Sequence, residues 1–230
     1  GEPAGAVLVE SPKNSVAGEE QKVMVRTVDK AGNHLSTGGA DIDFNLKGPS
    51  GNPVSVHTQD NKDGTYAGTF KPTQSGEYHL SPTLNDQEIE HSPFRFAVTA
   101  GPPSAGHTFA IGEGLSEAES GEPAMFFVQS VDSYGNEIKT GGAKVTASLK
   151  PRDSKEADDV IVADVADNCD GIYTATYVPT KGVLHTLDIK LDDSHIKNSP
   201  FAVNVIPGKA SPEHSAIIDA GTLNFPFFCS

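Results

Sequence analysis

Asp60-Asn61-Lys62-Asp63-Gly64-Thr65-Tyr66 reads as a tight turn running into a strand, and it occurs a second time as Asp167-Asn168-Cys169-Asp170-Gly171-Ile172-Tyr173. Ser92-Pro93-Phe94 returns as Ser199-Pro200-Phe201, so positions 60 and 92 reappear at 167 and 199, a period of 107. A period of that length is a whole domain. Upstream, Val28-Asp29, Gly32-Asn33 and Thr37-Gly38-Gly39-Ala40 return as Val131-Asp132, Gly135-Asn136 and Thr140-Gly141-Gly142-Ala143, a shift of 103 from 28 to 131. The second unit therefore holds four more residues than the first, around Pro151 to Asp159, a charged stretch with the composition of a lengthened surface loop. Gly208-Lys209-Ala210-Ser211 echoes Gly101-Pro102-Pro103-Ser104, which opens a third unit. The predicted division is residues 1–99, residues 100–207, and a start or tail over 208–230.

Within each unit the local signals are those of strands. Asp41 to Leu46 alternates strictly, Lys22 to Val28 and Met125 to Val131 alternate or run apolar, and Tyr66 to Phe70 and Tyr173 to Val178 are rich in aromatic and β-branched residues. Gly-Asn, Gly-Gly and Asn-x-Asp-Gly supply the positive φ angles of tight connections every eight to twelve or so residues. Seven or so short strands per unit without crossover helices predict an all-β fold, tandem immunoglobulin-like antiparallel β-sandwiches. Thr99-Ala100-Gly101-Pro102-Pro103 is too short and too Pro-rich for a floppy tether, so the two units are expected to lie end to end.

Composition narrows the function. The chain of 230 residues suits two ordinary cores. Its formal charge of −14 argues against a nucleic-acid or anionic-lipid surface, which needs concentrated Lys and Arg. Cys169 and Cys229 give neither a disulfide framework nor metal-ligand spacing, and no Asn-x-Ser/Thr acceptor occurs; both point to a reducing, cytoplasmic compartment. There is no apolar run near 20 residues and no signal-like start. An all-β chain without converging acid, base or metal ligands is read as non-enzymatic, with no cofactor and no small-molecule substrate.

Several motifs resemble chemistry and fail its requirements. Asp-Asn-x-Asp-Gly looks like a calcium loop, but placing Gly64 sixth puts Gln59 first and Phe70 twelfth, and placing Gly171 sixth gives Ala166 and Tyr177. Neither register supplies the bidentate carboxylate, so both are read as hairpin turns. The eight His residues form no i, i+4 pair on a helix and no cluster with Cys. Gly112-Glu113-Gly114-Leu115-Ser116 is not a nucleophile elbow. In Ser-Pro-Phe, Pro fixes the entry to the last strand, and Phe94 and Phe201 are read as core anchors.

The order Val-Asp-x-x-Gly-Asn, Gly-Gly, Asp-Asn-x-Asp-Gly-x-Tyr and Ile-x-x-Ser-Pro-Phe resembles the filamin repeat, present twice and in register; Ile89 to Phe94 and Ile196 to Phe201 are its most specific parts. The resemblance implies an elongated, cytoskeletal rod that crosslinks actin through a separate module and scaffolds signalling or adhesion proteins. No actin-binding region is visible in these residues, so actin contact is assigned to regions outside them. Two other settings use such repeats: a cell-surface adhesion or gamete protein, and a ubiquitin ligase that reads substrates with one repeat.

The resemblance also implies a groove in which a partner peptide adds to the open edge of the third strand, by β-augmentation. In the first unit the edge is Ala40 to Leu46, facing Val54 to Gln59; in the second it is Ala143 to Leu149, facing Val160 to Ala166. Parity turns Asp41, Asp43 and Asn45 outward along the first edge, and edge charges block pairing. The second edge turns Lys144, Thr146 and Ser148 outward, opposite Ile161, Ala163 and Val165, with small Ala163 leaving room for a partner's apolar side chain. The second unit is therefore the expected binder, and Asp158, Asp159 and Asp164 favour a peptide basic at its ends. The tail Asn224-Phe225-Pro226-Phe227-Phe228-Cys229-Ser230 departs from the family pattern, and its aromatic residues point to self-association.

Overall fold

Each half of the described residues holds ten strands, and the longer ones such as Ile42–Lys47 follow the alternation of the sequence. A computed structural model describes residues 2–156 and 159–208. The first half contains β1 (Gly5–Glu10), β2 (Ser15–Val16), β3 (Gln21–Val28), β4 (Ile42–Lys47), β5 (Pro53–Val54), β6 (His57–Asp60), β7 (Thr65–Phe70), β8 (Gly76–Leu84), β9 (Gln87–Glu88) and β10 (Phe94–Thr99). The second contains β11 (Phe109–Ile111), β12 (Glu117–Glu119), β13 (Ala124–Gln129), β14 (Val145–Pro151), β15 (Ile161–Val162), β16 (Asp164–Asp167), β17 (Ile172–Tyr177), β18 (Leu184–Leu191), β19 (Ser194–His195) and β20 (Phe201–Ile206). One sheet of the first sandwich runs β1-β3-β7-β6 and the other β2-β10-β8-β4-β5, with β9 on β8. The second sandwich repeats this order strand for strand. All pairs are antiparallel except β2 with β10 and β12 with β20, which are parallel.

Each sandwich closes on its own core. Val23, Val25, Phe44, Leu46, Tyr66, Leu80 and Phe96 fill the first, and Phe126, Val128, Leu149, Tyr173, Leu187, Ile189 and Val203 the second. Removing each such large side chain from water stabilises its repeat by roughly 1.5–3 kcal/mol. Phe94 and Phe201, expected as core anchors, are half-buried against the margin of the core; Ile89 and Ile196, a few residues earlier, are the buried members of that motif. The longer second loop lies between β14 and β15, as the spacing predicts. The expected third unit falls on residues outside the described range after Gly208, as does the aromatic tail.

The decisive heptapeptide does more than turn. Lys62 and Gly64 have φ of 64° and 83°, Cys169 and Gly171 of 63° and 86°. A Cβ at Gly64 or Gly171 would also collide with the carbonyl of Leu35 or Ile138, so glycine is required there on two counts. The first and last residues of the motif reach across the sandwich: Asp60 Oδ2 accepts the Gly39 N–H at 2.9 Å and the Tyr66 hydroxyl accepts the Ala40 N–H at 2.8 Å. In the second repeat Asp167 Oδ2 and the Tyr173 hydroxyl hold Gly142 and Ala143 at 2.7 and 2.9 Å. These bonds fix the chain immediately before β4 and β14, the strands that carry the open edges.

Between the sandwiches, the turn after β13 touches the β7–β8 connection of the first repeat. Asn136 Nδ2 donates to the Thr73 carbonyl and Asn136 Oδ1 accepts the Ser75 N–H, both at 2.8 Å. Asp132 Oδ2 accepts the linker Gly101 N–H at 2.8 Å, and the Tyr134 ring lies over Gly18. The linker is thus tied at its centre.

Candidate functional site

The candidate site is the free edge of β4 and of β14. Each strand pairs along its whole length with β8 or β18 on one side. On the other side it pairs with the short β5 or β15, through Leu46 with Val54 and Lys47 with Pro53, or Ser148 with Val162 and Leu149 with Ile161. The chain then crosses to the opposite sheet as β6 or β16. The predicted facing strands, Val54 to Gln59 and Val160 to Ala166, are each broken at this crossing.

Alternation assigns the backbone groups that face the gap. Asn85 N–H donates to the Asp41 carbonyl and Asp192 N–H to the Lys144 carbonyl, so 41, 43 and 45, like 144, 146 and 148, bond towards the sheet interior. Ile42 and Phe44, and Val145 and Ala147, present their N–H and C=O groups to the edge. Their side chains are buried, whereas Asp43, Asn45 and Thr146 are exposed and Ser148 is half-buried.

Of the residues that differ between the two edges, the one between the two buried edge residues changes the backbone's free groups. In the first repeat Asp43 Oδ1 accepts the Phe44 N–H at 2.8 Å, so the donor a partner strand would use is already taken by the preceding side chain. Thr146 occupies the equivalent position in the second repeat, and among the described residues its side chain makes no hydrogen bond. Charge alone suggested that Asp43 blocks its edge; the structure adds a capped donor, a contact that no residue pattern displays.

The expected groove residues do not all behave alike. Lys144 is exposed, with Nζ 3.1 Å from Asp193 Oδ1. Ile161 and Val165 are half-buried against the core beside the gap, while Val162 between them points to solvent and is 75% exposed. Ala163 departs from expectation: it is buried, and its N–H donates to the Ala147 carbonyl at 2.9 Å. It closes the edge at Ala147 instead of leaving room, and the free stretch shortens to Ala143–Ala147. Asp159 is committed elsewhere: its carboxylate lies 2.6 Å from Lys181 Nζ and takes the Ser154 hydroxyl, and these bonds, Lys181's first, hold it below the usual carboxylate range. Asp158 lies outside the described residues. That leaves Asp164 as the exposed acid of the expected set.

The same two-sandwich pattern is found in known proteins. The profile of the Filamin/ABP280 repeat matches residues 3–95 and 102–202. The chain belongs to the filamin-repeat family. It is 26% identical over 199 residues to filamin-A of Drosophila melanogaster, covering 86% of the chain and 8% of that protein. It is 32% identical over 178 residues to filamin-C of Mus musculus (76% and 6%), and 37% identical over 102 residues to tripartite motif-containing protein 2 of Bos taurus (44% and 13%). The chain thus spans a small part of the curated relatives it matches. Among solved structures, the Escherichia coli adhesin FdeC aligns with a TM-score of 0.54 at 20% identity (87% of this chain, 63% of that one), and the bacterial integrin-binding protein invasin with 0.54 at 16% (88% and 40%). At these identities the likeness is one of fold. Filamin-type repeats are structural and protein-interaction domains, and the strand edges are where this chain has backbone groups to offer.

Proposed function

We propose that the chain is a scaffolding segment of a filamin-type, actin-crosslinking rod of the cytoplasmic cytoskeleton, and that its second repeat binds extended peptides of signalling or adhesion proteins by β-augmentation on β14. Actin contact is assigned to parts of the protein outside these residues. The observation that carries the assignment is the difference between Asp43, which caps the edge donor of the first repeat, and Thr146, which leaves that of the second uncapped. An incoming strand pairs its backbone with Val145 and the Ala147 N–H. It sets alternate apolar side chains against the half-buried Ile161 and Val165 and passes Lys144, Thr146 and Ser148 on the outward face. Because Ala163 closes the far end, the paired segment is short, a few residues, and affinity depends on the side chains in the gap.

The test is calorimetric titration with extended, alternately apolar peptides selected by display on the unmodified chain. Thr146→Asp, which recreates the cap, is expected to weaken binding at least about tenfold, the loss of one or two edge hydrogen bonds. Binding unaffected by Thr146→Asp and abolished by changes at Asp43 would place the site on the first repeat instead.

A further inference from the structure

The two sandwiches also differ on the sheet that does not carry the open edges. The outer face of β11-β13-β17-β16 can be compared place by place with that of β1-β3-β7-β6. Lys22 pairs with Thr69 and Arg26 with Thr65 in the first repeat; Met125 pairs with Thr176 and Gln129 with Ile172 in the second. Lys71 follows Tyr66 at the same spacing as Val178 follows Tyr173. The places of Lys22, Arg26 and Lys71 on the first face are thus held by Met125, Gln129 and Val178 on the second.

The exchange leaves an apolar stripe in the open. Phe126 and Val128 fill the core, so Met125 and Phe127 point outward from β13, with Ile111 of β11 directly beside Phe127. Ile111 is 56% exposed, Met125 50% and Val178 43%, and Phe127 is half-buried. Residues 112–123 form a strap beside this stripe, packed so closely that a Cβ on Gly114 would collide with the Met125 backbone. Strap and strand bound an open groove of about 410 Å3, lined by Met125 and Phe127 and by Glu113, Glu117 and Glu122 of the strap. A face that is basic in one repeat and apolar in its twin marks a contact surface of the second.

Charge selects the occupant. Residues 105–138 and 160–180, which supply all four strands and the strap, contain no Lys or Arg. Glu113, Glu117 and Glu122 are exposed, as is Asp164 across the face beside Thr176, and none of the four has an ion-pair partner among the described residues. On the first face, by contrast, Lys22 Nζ lies 3.8 Å from Glu10 Oε2. These acids attract a cationic partner and repel an anionic lipid surface. The face offers no backbone groups, because those of its strands are bonded within the sheet, so the occupant must satisfy its own backbone, as a helix does. The six residues of β13 span about 20 Å, the length of about 13 helical residues.

We propose that this face and its groove bind a basic amphipathic helix of a partner protein. Its apolar stripe lies on Ile111, Met125 and Phe127, and its Lys or Arg residues meet the strap glutamates. The site is on the opposite sheet from β14, so its test is independent of peptide addition there. Packing of one repeat on the end of another leaves this face open, since Lys22 and Lys71 of the first repeat remain exposed beside the second.

The test is titration of the nitrogen-15-labelled chain with a synthetic helix of about 14 residues, Leu at i, i+3, i+4 and i+7 and Lys elsewhere. Amide shifts should be confined to β11, β13, β17 and the strap. Met125→Lys with Val178→Lys, which writes the first repeat's residues into the second, should weaken binding at least about tenfold with unchanged melting. Glu113→Gln, Glu117→Gln and Glu122→Gln together should weaken it severalfold and flatten its salt dependence, while Thr146→Asp leaves it unchanged. The same helix with Glu in place of Lys should not bind. Shifts on the β14 edge, equal shifts on the first repeat's face, or full affinity in the Met125→Lys, Val178→Lys chain overturn the proposal. So does a mass that rises with protein concentration and falls back to the monomer in that variant, which would make a second copy the occupant.

Discussion

The two repeats share their strand order and their turn motifs, yet equivalent residues do different work. Asn136 is covered by a neighbouring domain while Asn33, in the same turn with the same internal bonds, faces solvent. Asp43 takes the edge-facing Phe44 N–H, whereas Thr146, at the equivalent position, makes no such bond to Ala147. A motif thus specifies a local geometry, and what that geometry accomplishes depends on what lies against it. Internal repetition is the control experiment that the molecule supplies.

The sharpest way to break the comparison is to remove one core and watch the other. Leu80 and Leu187 occupy equivalent, fully buried places. Leu80→Ala or Leu187→Ala should destabilise its own repeat by about 2–5 kcal/mol. Calorimetry should then resolve two transitions, with only the mutated repeat shifted by that amount. A single transition that moves equally for either variant would show that the junction couples the repeats into one cooperative unit.

Next in size is the junction itself. Asn136→Ala deletes two hydrogen bonds to the first repeat and one to Asp132, and should lower the stability of the junction by about 1–3 kcal/mol, because Asp132 and the Thr73 and Ser75 backbone lose partners. Asn33→Ala in the same chain removes only the bonds to half-buried Asp29 and should change stability by about 0.5 kcal/mol. Faster amide exchange at Ser75 in the first variant alone is the expected signature. Equal effects of the two substitutions would mean that the turn matters only for its own repeat.

Acid should act on the same asymmetry. Burial pushes the Asp132 carboxyl up, but the bonds from Asn136, the Gly101 N–H and the Tyr134 N–H outweigh it and leave the group below its ordinary value of 3.8. Because the folded value is depressed, the stability it contributes is present above the unfolded pKa, about 3.9, and is lost as pH falls through the folded one. Asp29 is shifted the same way, chiefly by Asn33, but is solvated and links nothing across repeats. Small-angle scattering from pH 7 downwards should show the junction loosening only below about pH 4, while Asp132→Asn removes that transition. Loosening near neutrality would assign the junction to other groups.

How much of this could be read beforehand follows from the physics of each feature. The 107-residue period, the alternation around Phe44 and the failure of the calcium register depend on sequence spacing alone, and the two-sandwich architecture follows from them. Parity likewise predicts that Ile42 and Val145 point inward. Three features depend on tertiary contact and were not legible. Asp60 and Tyr66 looked like turn and strand residues, and only the fold shows them holding Gly39 and Ala40 ahead of the edge. Ala163 satisfied parity but lies where the chain crosses between sheets, so its N–H closes the gap it was expected to widen. Asn136 carried no signal that separated it from Asn33.

The smallest expected effect concerns the edges and is the most discriminating. Asp43→Thr removes the acceptor that caps the Phe44 N–H and gives the first repeat the outward residue of the second. Because Asp43 is exposed and the freed N–H is open to water, the stability change should stay within about ±0.5 kcal/mol, partly balanced by the better strand propensity of Thr. Exchange of the Phe44 amide should accelerate, and the variant should acquire a second peptide site in the titration, since its edge then offers Ile42 and Phe44 without a cap. Thr146→Asp is the converse: unchanged melting, a slowed Ala147 amide and weaker binding. If Asp43→Thr frees the Phe44 amide but no second site appears, the cap is not what keeps peptides off the first repeat. Selection would then have to come from the gap residues, where half-buried Val54 and Val56 stand in place of Ile161 and Ala163.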